Sequence, residues 1–325
     1  MSPIISILTP SWNRASYLDR VWKSLDSQTY KNFEWIVSND GSTDETQAKI
    51  EELAAKSAFP ITVITASHHI GKARMDNEAV RHAHGEFIVW CDSDDYFLPQ
   101  AMERLVEVWN SIEEDERPEF VGLVGLCRTE EGDILTQLPF QERFDTTWNE
   151  LSEIHRVTGD MVYLARAEAL RNHPFPEVDF IVPESAVWSA LGERRVRVCP
   201  EALKVIEYGA MHCVSFSGRM EYNRGRAIAM ALSEHNLRRY PKTLSTRLWR
   251  AITYLRYSIH GELGAVEALS AWGANFPGPL IVLLYPIAYI LASIDTIRGK
   301  VRKTHREFLA AQSKTKINVI YNNMC

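Results

Sequence analysis

The chain is poor in cysteine, and what it has is scattered. Its 325 residues include five (Cys91, Cys127, Cys199, Cys213 and Cys325), with no CxxC pair and no short Cys/His cluster. That pattern excludes a disulfide framework or a zinc-finger site and reads as buried thiols in a reducing compartment. A basic excess is missing too. Lys and Arg number 36 against 42 Asp and Glu, a formal net charge of -6, which argues against a nucleic-acid partner. The opening Met1-Ser2-Pro3-Ile4 has no basic n-region and no cleavage site, so the main domain is expected to stay in the cytosol. No internal repeat or low-complexity segment is present. Glycine is absent from Thr9-Pro10-Ser11-Trp12-Asn13-Arg14, directly after the first apolar run. An enzyme that synthesises nucleotide sugars would be expected to carry a glycine-rich, basic phosphate loop there.

What is present is an ordinary globular composition, 46% hydrophobic and 24% charged, enough to bury a full core. The length suits one large α/β domain with an appendage, or two modest domains. Short apolar runs alternate with amphipathic stretches. Strands are expected at Ile4 to Leu8, Phe33 to Val37, Ile61 to Thr65 and Phe87 to Cys91. Helices are expected at Tyr17 to Leu25, Thr46 to Ala55 and Ala73 to Ala83. This order is that of a parallel sheet with right-handed crossovers. Nucleotides on such sheets bind beyond the carboxyl ends of the strands, and the polar clusters fall there: Thr9-Pro10, Asn39-Asp40, His68-His69 and Asp92-Ser93-Asp94-Asp95. Further on, a helix at Gln100 to Ile112, a strand at Phe120 to Leu126, and helices near Arg166 to Arg171 and Ser185 to Leu191 are expected.

Three carboxylates within four residues repel one another. Grouping Asp92, Asp94 and Asp95 at a strand end makes sense if a hard divalent cation, Mg²⁺ or Mn²⁺, is held there against phosphate oxygens; the bland alternative is an acidic turn. Asp40 follows a buried strand and precedes a helix, a place from which a carboxylate can accept from a base N–H or a ribose hydroxyl. Asn39-Asp40-Gly41-Ser42 is equally good turn chemistry.

With these motifs in view, the sequence resembles a family 2 glycosyltransferase. The resemblance is carried by Ile5-Ser6-Ile7-Leu8-Thr9-Pro10-Ser11-Trp12-Asn13-Arg14, Ser27-Gln28-Thr29-Tyr30, Trp35 to Asp44, Gly71 to Asn77 and Gly85 to Asp95. It is dense over residues 4 to 100 and loose over 155 to 215. It implies a GT-A fold, mainly parallel in its central sheet, a nucleotide-diphosphate sugar donor and inversion at the anomeric carbon. Carried over residue by residue, Thr9, Pro10, Asn13 and Arg14 would line the nucleotide pocket and Asp40 would hold the base. Lys72, Arg74 and Asn77 would face the ribose or diphosphate. Asp92 would contact ribose or metal, Asp94 would ligate the metal, and Ser93 and Asp95 would support the donor sugar or the loop. His212 stands where some relatives place a metal contact, though a lone histidine is more often a packed residue. The general base would be an acid in the second half of the domain. Glu184, in Val182-Pro183-Glu184-Ser185, is the candidate; many relatives have a second acid where Ser185 stands, which leaves Glu177 and Asp179 as alternatives.

The expected organisation is a catalytic domain at 1–216 and a helical region at 217–325. Within the latter, Pro279 to Ile297 is nearly free of charge, broken by Pro286 and Asp295, and is followed by Arg298, Lys300, Arg302, Lys303 and Arg306 with no acid among them. Membrane contact through 277–306, interfacial or re-entrant, is expected, with a buried hairpin as the alternative. The function expected is an inverting transferase at the inner face of the cell membrane, using a UDP-sugar by preference and a saccharide or lipid-linked saccharide acceptor. A catalytically silent nucleotide-sugar-binding or scaffold protein on the same fold is the competing reading.

Overall fold

In the computed structural model the described residues are 5–178, 182–207, 220–240, 242–264, 266, 268, 278–297 and 317–322. The chain forms two compact units. The first comprises Met1–Pro174, Leu191–Met211 and Lys314–Cys325; the second comprises Phe175–Ala190 and His212–Ser313.

The first unit opens as the periodicity predicts: β1 (Ile5–Ser11), α1 (Ala15–Asp26), β2 (Phe33–Asn39), α2 (Thr46–Lys56), β3 (Ile61–Ala66), α3 (Lys72–His82) and β4 (Phe87–Trp90). β1, β2 and β4 are buried along almost their whole length, as parallel strands covered on both faces must be. After β4 come β5 (Tyr96–Phe97), α4 (Ala101–Asn110), β6 (Phe120–Arg128), β7 (Phe144–Thr147), α5 (Trp148–Glu153), β8 (Met161–Arg166), α6 (Ala167–Asn172) and α7 (Ser185–Leu191). β9 (Arg195–Val205) follows.

Among the described residues these strands form one sheet in the order β10-β3-β2-β1-β4-β8-β6-β9-β5, with β7 paired to β9. The tenth strand, β10 (Ile317–Asn322), runs antiparallel along β3. From β3 to β4 every pairing is parallel. Beyond β4 the sheet is mixed, since β8 is antiparallel to both β4 and β6 while β6 and β9 are parallel. The core is continuous from Ile5, Trp35 and Val63 through Phe87 and Val89 to Leu105, Phe120, Leu164 and Leu203. Its cysteines Cys91, Cys127 and Cys199 are free and buried.

The second unit is helical: α7, which lies in its Phe175–Ala190 segment but for its last residue, with α8 (Met220–Asn236), α9 (Leu244–His260) and α10 (Gly278–Ile297). Ala227, Ala231, Ala251, Tyr254, Leu255, Leu284 and Ala288 form its core. Pro286 lies inside α10, which runs through it as one helix; its ring stands on the exposed side. Among the described residues no helix is long and apolar enough to cross a membrane.

Candidate active site

The carboxyl ends of β1, β2 and β4 lie side by side, so the loops leaving them meet. Register pairs Ser11 with Asn39 and Leu8 with Trp90. The first two loops are laced together by hydrogen bonds from backbone N–H groups to side-chain oxygens. Asn13, in the left-handed region at φ 53°, accepts from the Thr43 N–H through Oδ1 at 2.9 Å. Its own N–H donates to Ser42 Oγ at 2.9 Å. Arg14 N–H donates to Thr46 Oγ1 at 2.8 Å. Pro10 is half-buried beside them, whereas Thr9 is fully buried and its hydroxyl accepts from the Trp35 indole N–H at 2.9 Å. Thr9 therefore lies beneath the loop region, its hydroxyl engaged by Trp35.

Asp40 is 3% exposed and holds the loop between β3 and α3. Its two oxygens accept from the Ile70 and Gly71 N–H groups at 2.6 and 3.0 Å, and His69 Nδ1 lies 2.8 Å from Oδ2. The His69 ring stacks on Trp12, centroids 4.3 Å apart. Gly41 is required next to it: at φ 61° a Cβ would stand 2.1 Å from the His68 carbonyl carbon. In α3, Arg74 donates to the Ile70 carbonyl at 3.2 Å, and Asn77 is buried. Lys72 donates to Asp76 at 2.9 Å. Asp76, 1% exposed, also accepts from the Trp90 indole at 3.0 Å.

The acidic loop follows β4 immediately. It turns on an Asp95 N–H to Asp92 carbonyl bond of 2.9 Å, with Ser93 buried. Each carboxylate has its own cation, and each cation comes from a different element. Lys72 Nζ is 3.7 Å from Asp92, Arg14 Nη2 is 3.4 Å from Asp94, and Lys204 Nζ is 3.2 Å from Asp95. Arg20 of α1 donates to the Asp94 carbonyl and pairs with Glu207. Burial alone would raise Asp92, but Lys72, then Lys204 and Arg14, outweigh it and hold its pKa below the usual carboxylate range. Burial, reinforced by the negative charge of Asp92, raises Asp94 against the pull of Arg14. Burial pushes Asp95 up to about 7 despite Lys204, and lifts the Cys127 thiol to about 12. Lys204 is held well above its ordinary value because Asp95 more than offsets its desolvation.

These residues fit a divalent ion of the Mg²⁺ or Mn²⁺ kind. Asp92 and Asp94 are the outward pair, while Asp95 is turned inward onto Lys204. Among the described residues no group of three His, Cys, Asp or Glu converges on one point. Two carboxylates with the remaining positions open is the donor set such ions take when phosphates and water complete the shell. His212 lies outside the described residues. Glu184 belongs to the second unit, half-buried at the start of α7, where its carbonyl accepts from the Val187 and Trp188 N–H groups; Glu177 is in that unit as well, and Asp179 is outside the described residues.

Lys204, Arg20 and Asp76 are site residues that sequence reasoning missed. One signal was available: Lys204 stands in the apolar run Leu203-Lys204-Val205, and a charge inside a buried strand demands a partner.

Residues 6–116 match the family model described as Glycosyl transferase family 2. The chain is 32% identical over 105 residues to the UDP-Glc:alpha-D-GlcNAc-diphosphoundecaprenol beta-1,3-glucosyltransferase WfgD of Escherichia coli, covering 32% of this chain and 40% of that protein. It spans about a third of the length of the curated relatives it matches. Among solved structures, S. aureus TarS 1-349 in complex with UDP-GlcNAc superposes with a TM-score of 0.61 at 17% identity, over 98% of this chain and 97% of that one. The mannosyltransferase PcManGT from Pyrobaculum calidifontis, in complex with GDP-Man and Mn2+, gives 0.55 at 17% identity, over 92% and 88%. At such identities the likeness shows a shared fold, the GT-A glycosyltransferase architecture.

Proposed function

We propose, from the match of residues 6–116 to the family model described as Glycosyl transferase family 2, that the chain is an inverting glycosyltransferase. It moves a sugar from a nucleotide-diphosphate donor to an acceptor hydroxyl. The observation that carries the reading is the loop Asp92 to Asp95 at the carboxyl end of β4, beside the loops that hold Asn13, Asp40 and Lys72. A UDP-sugar is the favoured donor, since the Escherichia coli relative is named for UDP-Glc and the TarS structure holds UDP-GlcNAc. The base is assigned to the Asp40 loop and the Trp12–His69 stack. The ribose and diphosphate are assigned to Pro10, Asn13, Arg14, Lys72, Arg74, Asn77 and Ser93, with Thr9 as floor.

Asp92 and Asp94 would hold the divalent ion, and His212 is retained as a further candidate ligand. Such an ion supplies neutralisation of the charge that develops on the leaving diphosphate. Lys72 and Arg14 add positive charge on the same side, and positioning of this kind dominates group transfer. Asp95, locked to Lys204, fixes the loop from which Asp92 and Asp94 project. Glu184 takes the proton from the acceptor oxygen as that oxygen bonds to the anomeric carbon and the bond to the diphosphate breaks, the pair leaving with the nucleotide.

The acceptor is proposed to be a saccharide on a lipid carrier at the inner face of the cell membrane, as in cell-surface polysaccharide or glycolipid synthesis; the name of the Escherichia coli relative points the same way. Helix α10 supports membrane contact through its polarity. Leu283, Tyr289 and Ile290 are 70%, 58% and 59% exposed, while its acid, Asp295, is turned inward onto Arg256 and His260. An apolar outer face with the charge inside suits a helix lying in a lipid interface. Ile287→Glu with Ile290→Glu should abolish co-sedimentation with anionic vesicles; undiminished binding would sink the membrane contact.

The transferase reading is tested by nucleotide release from a panel of UDP-, GDP- and dTDP-sugars with Mn²⁺ and a lipid-linked saccharide acceptor. Release from one donor, lost with EDTA and in Asp94→Ala, is expected. Donor binding in calorimetry without turnover would favour the silent binding protein.

A further inference from the structure

The three cations around the acidic loop are not equivalent. Lys204 and Asp95 are 8% and 5% exposed in their side chains, Arg14 and Asp94 10% and 15%, and Lys72 and Asp92 30% and 40%. Contact length, more than burial, therefore sets Arg14 apart from Lys204. Arg14 and Lys72 make longer contacts, 3.4 and 3.7 Å, where a charge-assisted hydrogen bond settles at about 2.7–2.9 Å. They do so on the two outward carboxylates. Lys72 keeps a second, shorter bond to Asp76. Arg14 is fixed at its backbone by Thr46, so only its side chain needs to move.

We propose that Arg14, with Lys72 in a lesser part, is a placeholder: a cation that holds Asp94 in the metal-free site and passes to the donor's diphosphate when a divalent ion takes the carboxylate. This deepens, and rests on, the donor site proposed above. The charge arithmetic requires the two ligands to arrive as a pair. A diphosphate sugar and a divalent ion bring equal and opposite charge, so together they leave the site as balanced as they found it. The ion alone must displace Arg14 and strand it beside a doubly charged neighbour. The nucleotide alone finds its cations engaged by Asp92 and Asp94. Each ligand therefore binds weakly by itself and tightens the other, by the same factor in both directions.

The test measures Mn²⁺ binding by the EPR signal of free Mn²⁺, with and without UDP, and UDP binding by calorimetry, with and without Mn²⁺. The wild-type chain is expected to show mutual tightening of about tenfold or more. Arg14→Met should bind Mn²⁺ alone about fivefold more tightly and should retain only a few-fold of the coupling; Arg14→Lys should preserve most of it. If Arg14→Met leaves Mn²⁺ affinity unchanged or lowers it, Arg14 is a support for Asp94 and the inference is overturned. Should Arg14→Met not fold, Asp94→Asn and Asp92→Asn serve, because each removes one charge but only the former releases Arg14. Asp94→Asn should then bind UDP in EDTA several-fold more tightly than Asp92→Asn, and equal affinities overturn the proposal. A wild-type chain that binds UDP and Mn²⁺ without coupling defeats the placeholder alone. One that binds no nucleotide with or without Mn²⁺ defeats the donor site beneath it.

Discussion

Replacing Lys204 by methionine removes one half of a closed ion pair and leaves the other half with nowhere to go. Asp95 is 4% exposed, and Lys204 stands 3.2 Å from its carboxylate. At an effective dielectric of 20 a pair at that distance attracts by about 5 kcal/mol, against which both groups have lost their hydration. Mutational experience with such pairs gives a loss of about 3–5 kcal/mol when one partner is deleted. That is a large share of a typical stability of roughly 5–15 kcal/mol. The double variant Lys204→Met with Asp95→Asn removes the stranded charge as well. It should recover roughly 2 kcal/mol of the loss, a coupling within the range of contacting pairs. Urea denaturation at about pH 8.5, above the value of about 7 to which burial lifts Asp95 so that the pair is charged in the wild type, followed by circular dichroism on wild type, both single variants and the double, closes the cycle. A single variant that loses less than about 1 kcal/mol would refute the reasoning, and so would a double variant no more stable than Lys204→Met.

Thr9→Val leaves the Trp35 indole N–H without its acceptor and should cost about 1–2 kcal/mol in urea denaturation, while UDP affinity changes less than twofold. Gly41→Ala forces a Cβ against the His68 backbone. It should displace the loop that Asp40 holds, weakening UDP binding by about tenfold or more and lowering stability by roughly 2 kcal/mol. Asp295 is depressed in the folded chain: burial opposes the shift, and Arg256 and His260 outweigh it. A depressed acid contributes stability that is present above its unfolded pKa of about 3.9 and lost as pH falls through the folded value. Hydrogen exchange across 278–297 should therefore accelerate below about pH 4 more in wild type than in Asp295→Asn, which at neutral pH should already be less stable by about 1–3 kcal/mol.

The alternation from β1 to β4 was legible because buried parallel strands are nearly continuous apolar runs and the intervening helices keep a helical spacing. The acid loop was legible because its charges stand directly behind such a run. β9 was not. Arg195, Arg197, Glu201 and Lys204 break its apolar pattern, and only the folded chain supplies their partners Asp145, Arg104 and Asp95. β8 was missed as well, its six residues half of them only partly buried. The cation set around the loop draws on residues 14, 72 and 204, a separation no local pattern encodes. In α10 the lone acid reads as a break in an apolar segment, whereas the fold makes it the anchor, inward-facing and ion-paired with α9.

β10 changes the order in which this chain can become a finished protein. The strands that build the site are synthesised first, yet the hydrogen-bonding edge of β3 is paired by residues 317–322. On the ribosome that edge stays open while some 250 further residues are made, about the separation that Ile61–Ala66 and Ile317–Asn322 define. An open apolar strand edge is a template for wrong pairings. A chaperone that shields extended segments would therefore raise the yield most during late synthesis. For the same reason, a fragment ending before β10 would be a poor stand-in for the protein even if its catalytic loops were intact.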